Sequence, residues 1–282
     1  MSRTMEHPYR ELPMEGPYEA RLGHALITMV DPHPGEERIY NRWYEDDHFI
    51  AGAMAMPWMF AGRRWVATRD LQLMRYPQDS ALAQPVTKGC YVSVYWVTAG
   101  RMQDHLDWTM ATNRRLIKDK RLANHLHVIE QVYTSFQDHA GTVYRENEGP
   151  RDIHALNYPY QGLVVEVIDA PDAPARATLE RWLLEEHLPG AIRKTPAAMC
   201  IVFRPQAFAD NVLSFMRKLD PSSGGRRLTV LWFLETDPRS CWTDLFAGRG
   251  EAVARGGHGR VELMAPFIPT LPGTDTYVDQ LR

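Results

Sequence analysis

The stretch Arg42-Trp43-Tyr44-Glu45-Asp46-Asp47-His48 decides the fold, because a close copy of it occurs later in the chain. The copy is Arg181-Trp182-Leu183-Leu184-Glu185-Glu186-His187, which keeps the Arg-Trp pair and the acid-acid-His ending at a displacement of 139 positions. The same displacement joins landmarks on both sides of the stretch: Gly23 with Gly162, Pro32 with Pro171, and Pro57 with Pro196. A register that holds across all these positions predicts one module present twice.

The predicted elements follow the same order in both halves. The first half predicts a strand, a helix that Pro57 ends, two strands, a helix and a last strand, over 24–30, 36–54, 58–68, 91–97, 102–120 and 125–136. The second half repeats this βαββαβ order over 163–268.

We therefore predict an α+β fold in which two tandem ferredoxin-like βαββαβ units form an α/β barrel with helices outside. The first unit is residues 1–140, with an N-terminal lead, and residues 141–160 are the predicted linker. The second unit is residues 161–282, with a C-terminal tail from Pro269. The cleft between the two sheets is the expected pocket.

Composition limits the classes of partner. The chain has 282 residues with 32 basic and 35 acidic side chains, and its formal charge is −3. It offers no electrostatic footprint for a phosphate backbone, so no nucleic-acid partner is expected. Three cysteines without a close pair predict neither a disulfide framework nor a thiolate zinc site. The same cysteine usage indicates a reducing, cytoplasmic compartment. No apolar run approaches the roughly 18 residues of a membrane span, so no membrane partner is expected.

The repeated stretch also resembles a known family. The pattern Arg-Trp-Tyr-x-x-x-His, the proline that follows, and Arg63-Arg64-Trp65 on the next strand resemble the EthD-like proteins of the dimeric α/β-barrel superfamily. The second half departs from the pattern, since Leu183 replaces Tyr44 and a single Arg204 replaces the arginine pair. The resemblance implies a barrel built from two βαββαβ units, normally from two chains. This chain is therefore expected to be a monomer with an intramolecular barrel, or a homodimer.

The same resemblance implies a range of activities. Relatives include polyketide cyclases, lactone isomerases, decarboxylases, monooxygenases without a cofactor and haem-binding branches. The family name therefore implies the fold more closely than it implies the reaction.

The first helix carries the leading acid–base candidate. With helical spacing, His48 shares a face with Tyr44 and Tyr40, and Trp43 lies on a neighbouring stripe. A histidine beside a phenol is typical of general acid–base catalysis near neutral pH. A histidine near a helix C-terminus is also common as a purely structural residue. Trp43 and its counterpart Trp182 are expected to be core residues.

Two predicted strands of the first half place polar side chains on one face, at Tyr91, Ser93 and Tyr95, and at His125, His127, Gln131 and Tyr133. If these faces point into the barrel, their polar groups need partners or a ligand, because burying them unpaired costs free energy. The alternative is an edge strand with solvated histidines. The second half carries apolar residues at these places, so we expect the first half to hold the chemistry. The predicted catalytic residues are His48, His125, His127 and Tyr95, and the predicted substrate-binding residues are His24, Tyr44, Arg64, Tyr91, Tyr133 and Glu166.

Three functions fit these patterns. The first is a lyase, cyclase or isomerase that uses His/Tyr acid–base chemistry, without a cofactor, on a small hydrophobic oxygenated substrate such as a polyketide, an aromatic or a lactone. The second is a non-catalytic small-molecule-binding barrel. The third is a metal-dependent lyase or oxygenase that uses the His125-x-His127 pair. Two close histidines are a weak metal signal, and no haem-attachment or nucleotide-binding motif occurs, so no metal and no cofactor is assigned.

Overall fold

Eight strands form one antiparallel sheet that closes into a barrel. The computed structural model describes residues 19–56, 58–122, 127–207 and 220–282. The strands are β1 (Leu22–Pro32), β2 (Met59–Val66), β3 (Tyr91–Thr98), β4 (Ile129–Tyr144), β5 (Gly162–Asp169), β6 (Ala197–Pro205), β7 (Arg227–Leu234) and β8 (Arg260–Pro269). The predicted α+β class, with an antiparallel sheet and helices, is confirmed.

Both halves of the sheet have the same strand order. Neighbours follow the order β1-β3-β2-β8-β5-β7-β6-β4, and β4 also pairs with β1. In each half the fourth strand therefore lies beside the first, followed by the third and the second. The halves meet where β4 pairs with β6 along Gln137 to Tyr144, and where β2 pairs with β8 at Trp65 and Val66.

Helices connect the strands, and two of them change their winding along their length. The α-helices are α1 (Glu37–Trp43), α2 (Arg69–Leu73), α3 (Met102–Lys118), α4 (Arg176–Trp182), α5 (Leu188–Ile192), α6 (Trp242–Leu245) and α7 (Arg249–Arg255). The first π-helix, Tyr44–Met54, continues α1, and the second π-helix, Leu183–His187, continues α4. A π-helix brings residues five apart into register and is frequent at functional sites. The predicted position of Pro57, after the first π-helix, lies outside the described residues.

Aromatic rings fill the interior of the barrel. Trp96 packs against Phe203 and Phe233 with ring centroids 5.5 and 6.4 Å apart, and Trp65 lies 6.4 Å from Phe233. All four side chains are fully buried. The predicted pocket between the sheets is therefore wrong at this place, because large apolar side chains occupy the space.

The fourth strand differs from its prediction. It begins at Ile129 and not at 125, so that His127 lies exposed in the turn before it. His125 lies outside the described residues. A bulge in the pairing with β1 falls between Gln131 and Tyr133, so these two side chains do not share a face. The predicted continuous polar row on this strand is therefore wrong.

The C-terminal tail packs on the first half of the chain. Leu281 is fully buried, and the Gln72 side-chain amide donates to its carbonyl oxygen at 3.1 Å. The Asn41 side-chain amide donates to the carbonyl of Thr274 at 2.9 Å. These contacts fix the tail against α1 and α2, beside the first π-helix.

Candidate functional site

The candidate site is a cavity of about 100 Å³ on the helix side of the first half-sheet. The first π-helix and α3 form one side of it, and β1, β3 and β4 form the other. Most of its lining residues are either uncharged polar residues or small residues. They are Leu26, Thr28, Tyr44, His48, Gly52, Ala53, Tyr95, Thr109, Asn113, Leu122, Gln131, Thr134 and Phe136. The cavity therefore brings together three predicted site residues, Tyr44, His48 and Tyr95.

The π-helical winding sets the position of His48. Its imidazole stacks on the Trp43 ring, five residues earlier, with centroids 4.6 Å apart and an angle of 18° between the planes. The Tyr44 ring meets the same imidazole edge-on at 5.4 Å. Trp43 is only partly buried. Trp43 and Trp182 therefore pack against the core as predicted, but at its margin, where each ring supports a histidine.

Two tyrosine hydroxyls meet in the wall of the cavity. The Tyr44 and Tyr95 oxygens are 2.5 Å apart, and both side chains are buried. Burial raises the pKa of both phenols above the ordinary value, and the hydroxyl of Ser93 interacts with each of them. Both phenols therefore stay protonated at neutral pH, so this pair can donate hydrogen bonds or protons but cannot act as a base.

Gly52 lets the imidazole lie where it does. A Cβ atom at this position would come within 2.5 Å of His48 Nδ1 and 2.6 Å of Cε1. Because the imidazole is held against Trp43, it cannot turn away without losing the stack. Gly52 was not among the predicted site residues, although a glycine four residues after a candidate catalytic histidine on the same helix is visible in the sequence.

Gly52→Ala is expected to reduce ligand affinity or turnover at the cavity by roughly tenfold or more, since small displacements of a reacting group are costly. The matched control is Gly190→Ala in α5, where an added Cβ meets nothing within 4 Å. Isothermal titration of a bound ligand compares the two variants. Equal ligand affinity and turnover of the two variants would show that the position of the His48 imidazole does not affect the cavity's function.

Arg64 and Tyr91 lie beside the cavity and do not line it. The Arg64 guanidinium is buried, donates to Asn41 Oδ1 at 2.6 Å and Glu45 Oε1 at 3.1 Å, and lies 3.8 Å from the centre of the Tyr91 ring. Arg64 also borders a separate cavity of about 290 Å³ next to the C-terminal tail. In this position Arg64 supports the helix that carries Tyr44 and His48.

Other predicted residues are placed apart from the cavity. His24 Nδ1 lies 2.7 Å from Asp138 Oδ1, at the end of β1. The Tyr133 hydroxyl lies 3.2 Å from Thr229 Oγ1 and accepts from the Gln137 amide at 3.2 Å, within the buried core. His127 is exposed. The structure therefore does not bring these three residues together with His48 and Tyr95.

In the second half, an arginine side chain lies at the edge of the repeated histidine. His187 stacks on Trp182 at 4.2 Å and 18°, the same arrangement as in the first half. Arg249 Nη1 lies 2.9 Å from His187 Nε2, and Arg249 Nε donates to both oxygens of Glu166 at 2.8 Å. A guanidinium only donates, so His187 Nε2 accepts and the imidazole is neutral. Glu166 is thus a structural ion-pair partner in the second half and is far from the predicted substrate site.

One buried histidine was missed by the sequence analysis. His105, on α3, is fully buried, packs on Phe136 at 5.4 Å and lies 3.4 Å from the Thr109 hydroxyl that lines the cavity. Burial lowers its pKa to about 4. Burial, with the nearby Arg249 charge, also lowers the pKa of His187 to about 4.

Mild acid should therefore weaken the fold. Between the ordinary histidine pKa of 6.5 and about 4, the unfolded chain protonates these imidazoles and the folded protein does not. Unfolding then takes up protons, so the free energy of unfolding falls as the pH is lowered through this interval. Urea unfolding at pH 7 and pH 5 measures the loss, which we expect to be smaller in His105→Leu than in the unaltered protein. An unchanged pH dependence in the variant would contradict the assignment to His105.

Comparison with known proteins shows the fold. No family model matches the chain, and no curated protein matches it. The crystal structure of an anthrone oxidase-like protein is similar at a TM-score of 0.53 and 10% identity, over 89% of this chain and 92% of that one. The encapsulated DyP-type peroxidase from Mycobacterium smegmatis is similar at 0.50 and 11% identity, over 95% and 96%. The chain shares the fold of these ferredoxin-like antiparallel-sheet proteins. At such identities the likeness carries no information about the reaction.

The described residues also limit other kinds of site. Among them, no group of three or more His, Cys, Asp or Glu side chains could hold a metal ion. Within the same part of the chain, no helix is long and apolar enough to cross a membrane. The metal alternative rested on His125 and His127, of which the first lies outside the described residues.

Haem, which the family resemblance includes, does not fit beside either of the two stacked histidines. The cavity beside His48 measures about 100 Å³, whereas pockets for larger ligands measure about 300–1,000 Å³. In the second half, His187 Nε2 already accepts a hydrogen bond from Arg249. Neither histidine is therefore placed to hold haem iron.

Proposed function

We propose that the first-half cavity binds a small oxygenated molecule and that His48, Tyr44 and Tyr95 transfer protons on it without a cofactor. The observation that carries the proposal is the tyrosine pair, with oxygens 2.5 Å apart, in the same cavity as a stacked histidine. Acid–base catalysis needs a base and a proton or hydrogen-bond donor that reach the same functional group of the substrate. The imidazole supplies the base and the two phenols supply the donors.

The roles follow from the chemistry of each group. His48 is the base that removes a proton from the carbon next to a carbonyl group, because imidazole is the side chain whose ordinary pKa lies closest to neutral pH. The tyrosine pair donates to the carbonyl oxygen, which becomes an enolate oxygen when the proton leaves. Both phenols are neutral because burial raises their pKa, so their hydrogen bonds strengthen as negative charge develops. Return of the proton from the His48 imidazolium to another position completes an isomerisation. Expulsion of a group from the neighbouring carbon completes a lyase reaction instead, and attack of the enolate carbon on a second carbonyl group of the same molecule closes a ring.

The polar wall suits such a ligand. The Thr28 and Thr134 hydroxyls are 3.0 Å apart in the cavity, and the amides of Asn113 and Gln131 face the same space. These neutral groups can both donate and accept hydrogen bonds, which suits carbonyl and hydroxyl oxygens.

Exchange with solvent deuterium tests the proposal. The protein is incubated in deuterium oxide with a 1,3-diketone, a phenolic ketone and a lactone, and NMR follows the proton next to each carbonyl. We expect exchange of at least one compound, and slower exchange with Tyr95→Phe. Binding of these compounds without exchange would indicate the alternative, a non-catalytic binding protein. Exchange that stops when a metal chelator is added would indicate the metal-dependent alternative.

We also propose that the two halves are copies of one EthD-like unit, fused so that a single chain completes the barrel. The equal strand order of the halves and the two Trp–His stacks, both at 18°, support this proposal. A monomer in solution by light scattering would agree with it. A dimer that exchanges strands between chains would contradict it.

A further inference from the structure

A buried cation lies behind the tyrosine pair of the cavity. The Arg64 guanidinium carbon lies over three phenol rings, 4.8 Å from the centre of Tyr44, 5.2 Å from that of Tyr40 and 3.8 Å from that of Tyr91. The Arg64 side chain is buried and is not among the residues that line the cavity, whereas Tyr44 is one of them. The phenol of Tyr44 therefore connects the guanidinium with the cavity.

The positive charge of Arg64 is only partly balanced. Its Nη1 donates to the Glu45 carboxylate at 3.1 Å and to the neutral amide oxygen of Asn41 at 2.6 Å. The other oxygen of Glu45 accepts from the backbone N–H of Gly273 at 2.7 Å, so this carboxylate serves two donors. Among the described residues, no acceptor meets Arg64 Nε or Nη2, although both atoms are buried. The rings around them attract a cation through their faces.

The guanidinium acts differently on the two phenols of the pair. Burial raises the pKa of Tyr44, and the Arg64 charge partly offsets this rise. Burial also raises the pKa of Tyr95, and the phenols of Tyr44 and Tyr40 raise it further. The Ser93 hydroxyl lowers both values, so it does not distinguish the phenols. Tyr44 is thus the more acidic hydroxyl and the stronger donor, and it is expected to donate to the Tyr95 oxygen 2.5 Å away.

We infer that Arg64 is a positioning residue that polarises Tyr44 and, through it, Tyr95, so that the Tyr95 hydroxyl is the group that donates to the ligand oxygen. A hydroxyl that accepts a hydrogen bond becomes a better donor, because hydrogen bonds in a chain polarise one another. Each proton stays on its own oxygen, and the charge of Arg64 stabilises the negative charge that develops on the ligand. The inference rests on the proposed function in taking this cavity as the place where an enolate forms.

Binding of 4-nitrophenol measures this stabilisation. Its phenolate form absorbs at longer wavelength than its phenol form, so a pH series gives the affinity of the protein for each form. We expect Arg64→Met to lower the ratio of phenolate to phenol affinity about tenfold, because a positive charge near the oxyanion is lost. A purely structural effect would weaken both forms alike and leave the ratio unchanged. Arg64→Lys keeps the charge and should retain most of the ratio.

The comparison is made between variants at the same pH. His48 lines the same cavity and titrates within the pH series, but it is present in every variant. A change of the ratio that follows a substitution behind the tyrosine pair is therefore not caused by the imidazole.

Two further substitutions give the direction of the effect. Glu45→Gln removes the counter-charge of Arg64 and keeps an oxygen acceptor, so the ratio should rise by about threefold or more. This variant also decides the inference if Arg64→Met does not fold. Arg63→Met is the matched control on the same strand. Arg63 donates to the carbonyl of Tyr158 at 2.5 Å and is not among the lining residues, so the ratio should stay within about twofold.

The path through Tyr44 has its own test. In Tyr44→Phe the ratio should already be low, and the addition of Arg64→Met should change it by less than about twofold, because the two residues act in one chain. An equal effect of Arg64→Met with and without the Tyr44 hydroxyl would show that the charge reaches the ligand directly, and would overturn the inference. An unchanged ratio in Arg64→Met, or a lower ratio in Glu45→Gln, would overturn it as well.

These outcomes are distinct from those of the proposed function. The expected changes of the ratio without deuterium exchange of any carbonyl compound would leave the role of Arg64 standing and remove catalysis. Exchange together with a ratio that Arg64→Met does not change would leave proton transfer standing and remove this role. An unaltered protein that does not bind 4-nitrophenol would also overturn the inference, while the exchange experiment still decides proton transfer.

Discussion

Replacing Arg249 with methionine is expected to lower the free energy of unfolding by about 3–5 kcal/mol, because it leaves a buried carboxylate without its partner. Glu166 is fully buried, and three of its contacts come from two side chains: Arg249 Nε donates to both of its oxygens, and Trp232 Nε1 donates to Oε2, all at 2.8 Å. His187 would lose its donor as well. Urea unfolding at pH 7 measures the effect.

Two variants control this expectation. Arg255→Met lies on the same helix, where its pair with Glu251 is 3.8 Å long and mostly exposed, so it should cost less than about 0.5 kcal/mol. Replacing both members of the buried pair, as Glu166→Leu with Arg249→Met, should recover most of the loss, because no uncompensated charge then remains. A double variant that is no more stable than Arg249→Met alone would show that the loss comes from packing and not from the charge.

The features that were predicted correctly are those that appear as a regular spacing of residues in the sequence. The alternation along β3, Tyr91-Val-Ser-Val-Tyr95, placed the Tyr95 hydroxyl on the same face as Ser93, and the structure has both beside Tyr44. The strand and helix order followed from the 139-residue register and from the apolar spacing in each half. Tyr44 and His48 could be assigned to one site because they lie on one helix, four residues apart.

The features that were not predicted depend on local changes in backbone geometry and on long-range contacts, neither of which appears as a regular spacing in the sequence. A change from α- to π-helical winding moves His48 onto Trp43, which a 3.6-residue period assigns to a different stripe. One bulge in β4 turns Tyr133 towards the core while Gln131 lines the cavity, so a row of alternating residues could not be read through it. Arg249 occupies the second site from a helix 62 residues after His187, a long-range contact with no local signal.

The sequence also did not predict which face of each strand points into the barrel. One face of β1 carries Ala25, Ile27 and Met29, and the other carries apolar residues together with Thr28, so alternation alone does not decide which face meets the helices. The decision comes from volume, since four large rings fill the interior and leave the space for a ligand on the helix side. The sequence left open whether the polar faces of β3 and β4 point into the barrel, and Tyr95 and Gln131 line the cavity on the helix side.

The effect of His48→Gln should be the largest on function. We expect deuterium exchange or turnover to fall about 10²–10⁴-fold, the usual contribution of a positioned general base, with stability nearly unchanged because the side chain is only partly buried. Glutamine keeps hydrogen-bonding capacity but cannot accept a proton near neutral pH. The variant should also lose the pH dependence that the imidazole gives to the rate.

The repeat provides the matched control for this prediction. His187→Gln changes the equivalent residue, but His187 is neutral and bound by Arg249, so its loss should affect stability and leave the rate within about twofold. His127→Gln, at an exposed turn, should affect neither property. Since the Trp–His stack is the same in both halves, a difference between His48→Gln and His187→Gln can come only from what lies beside each imidazole. Equal losses of activity from the two variants would therefore assign the histidines to the fold and not to the chemistry.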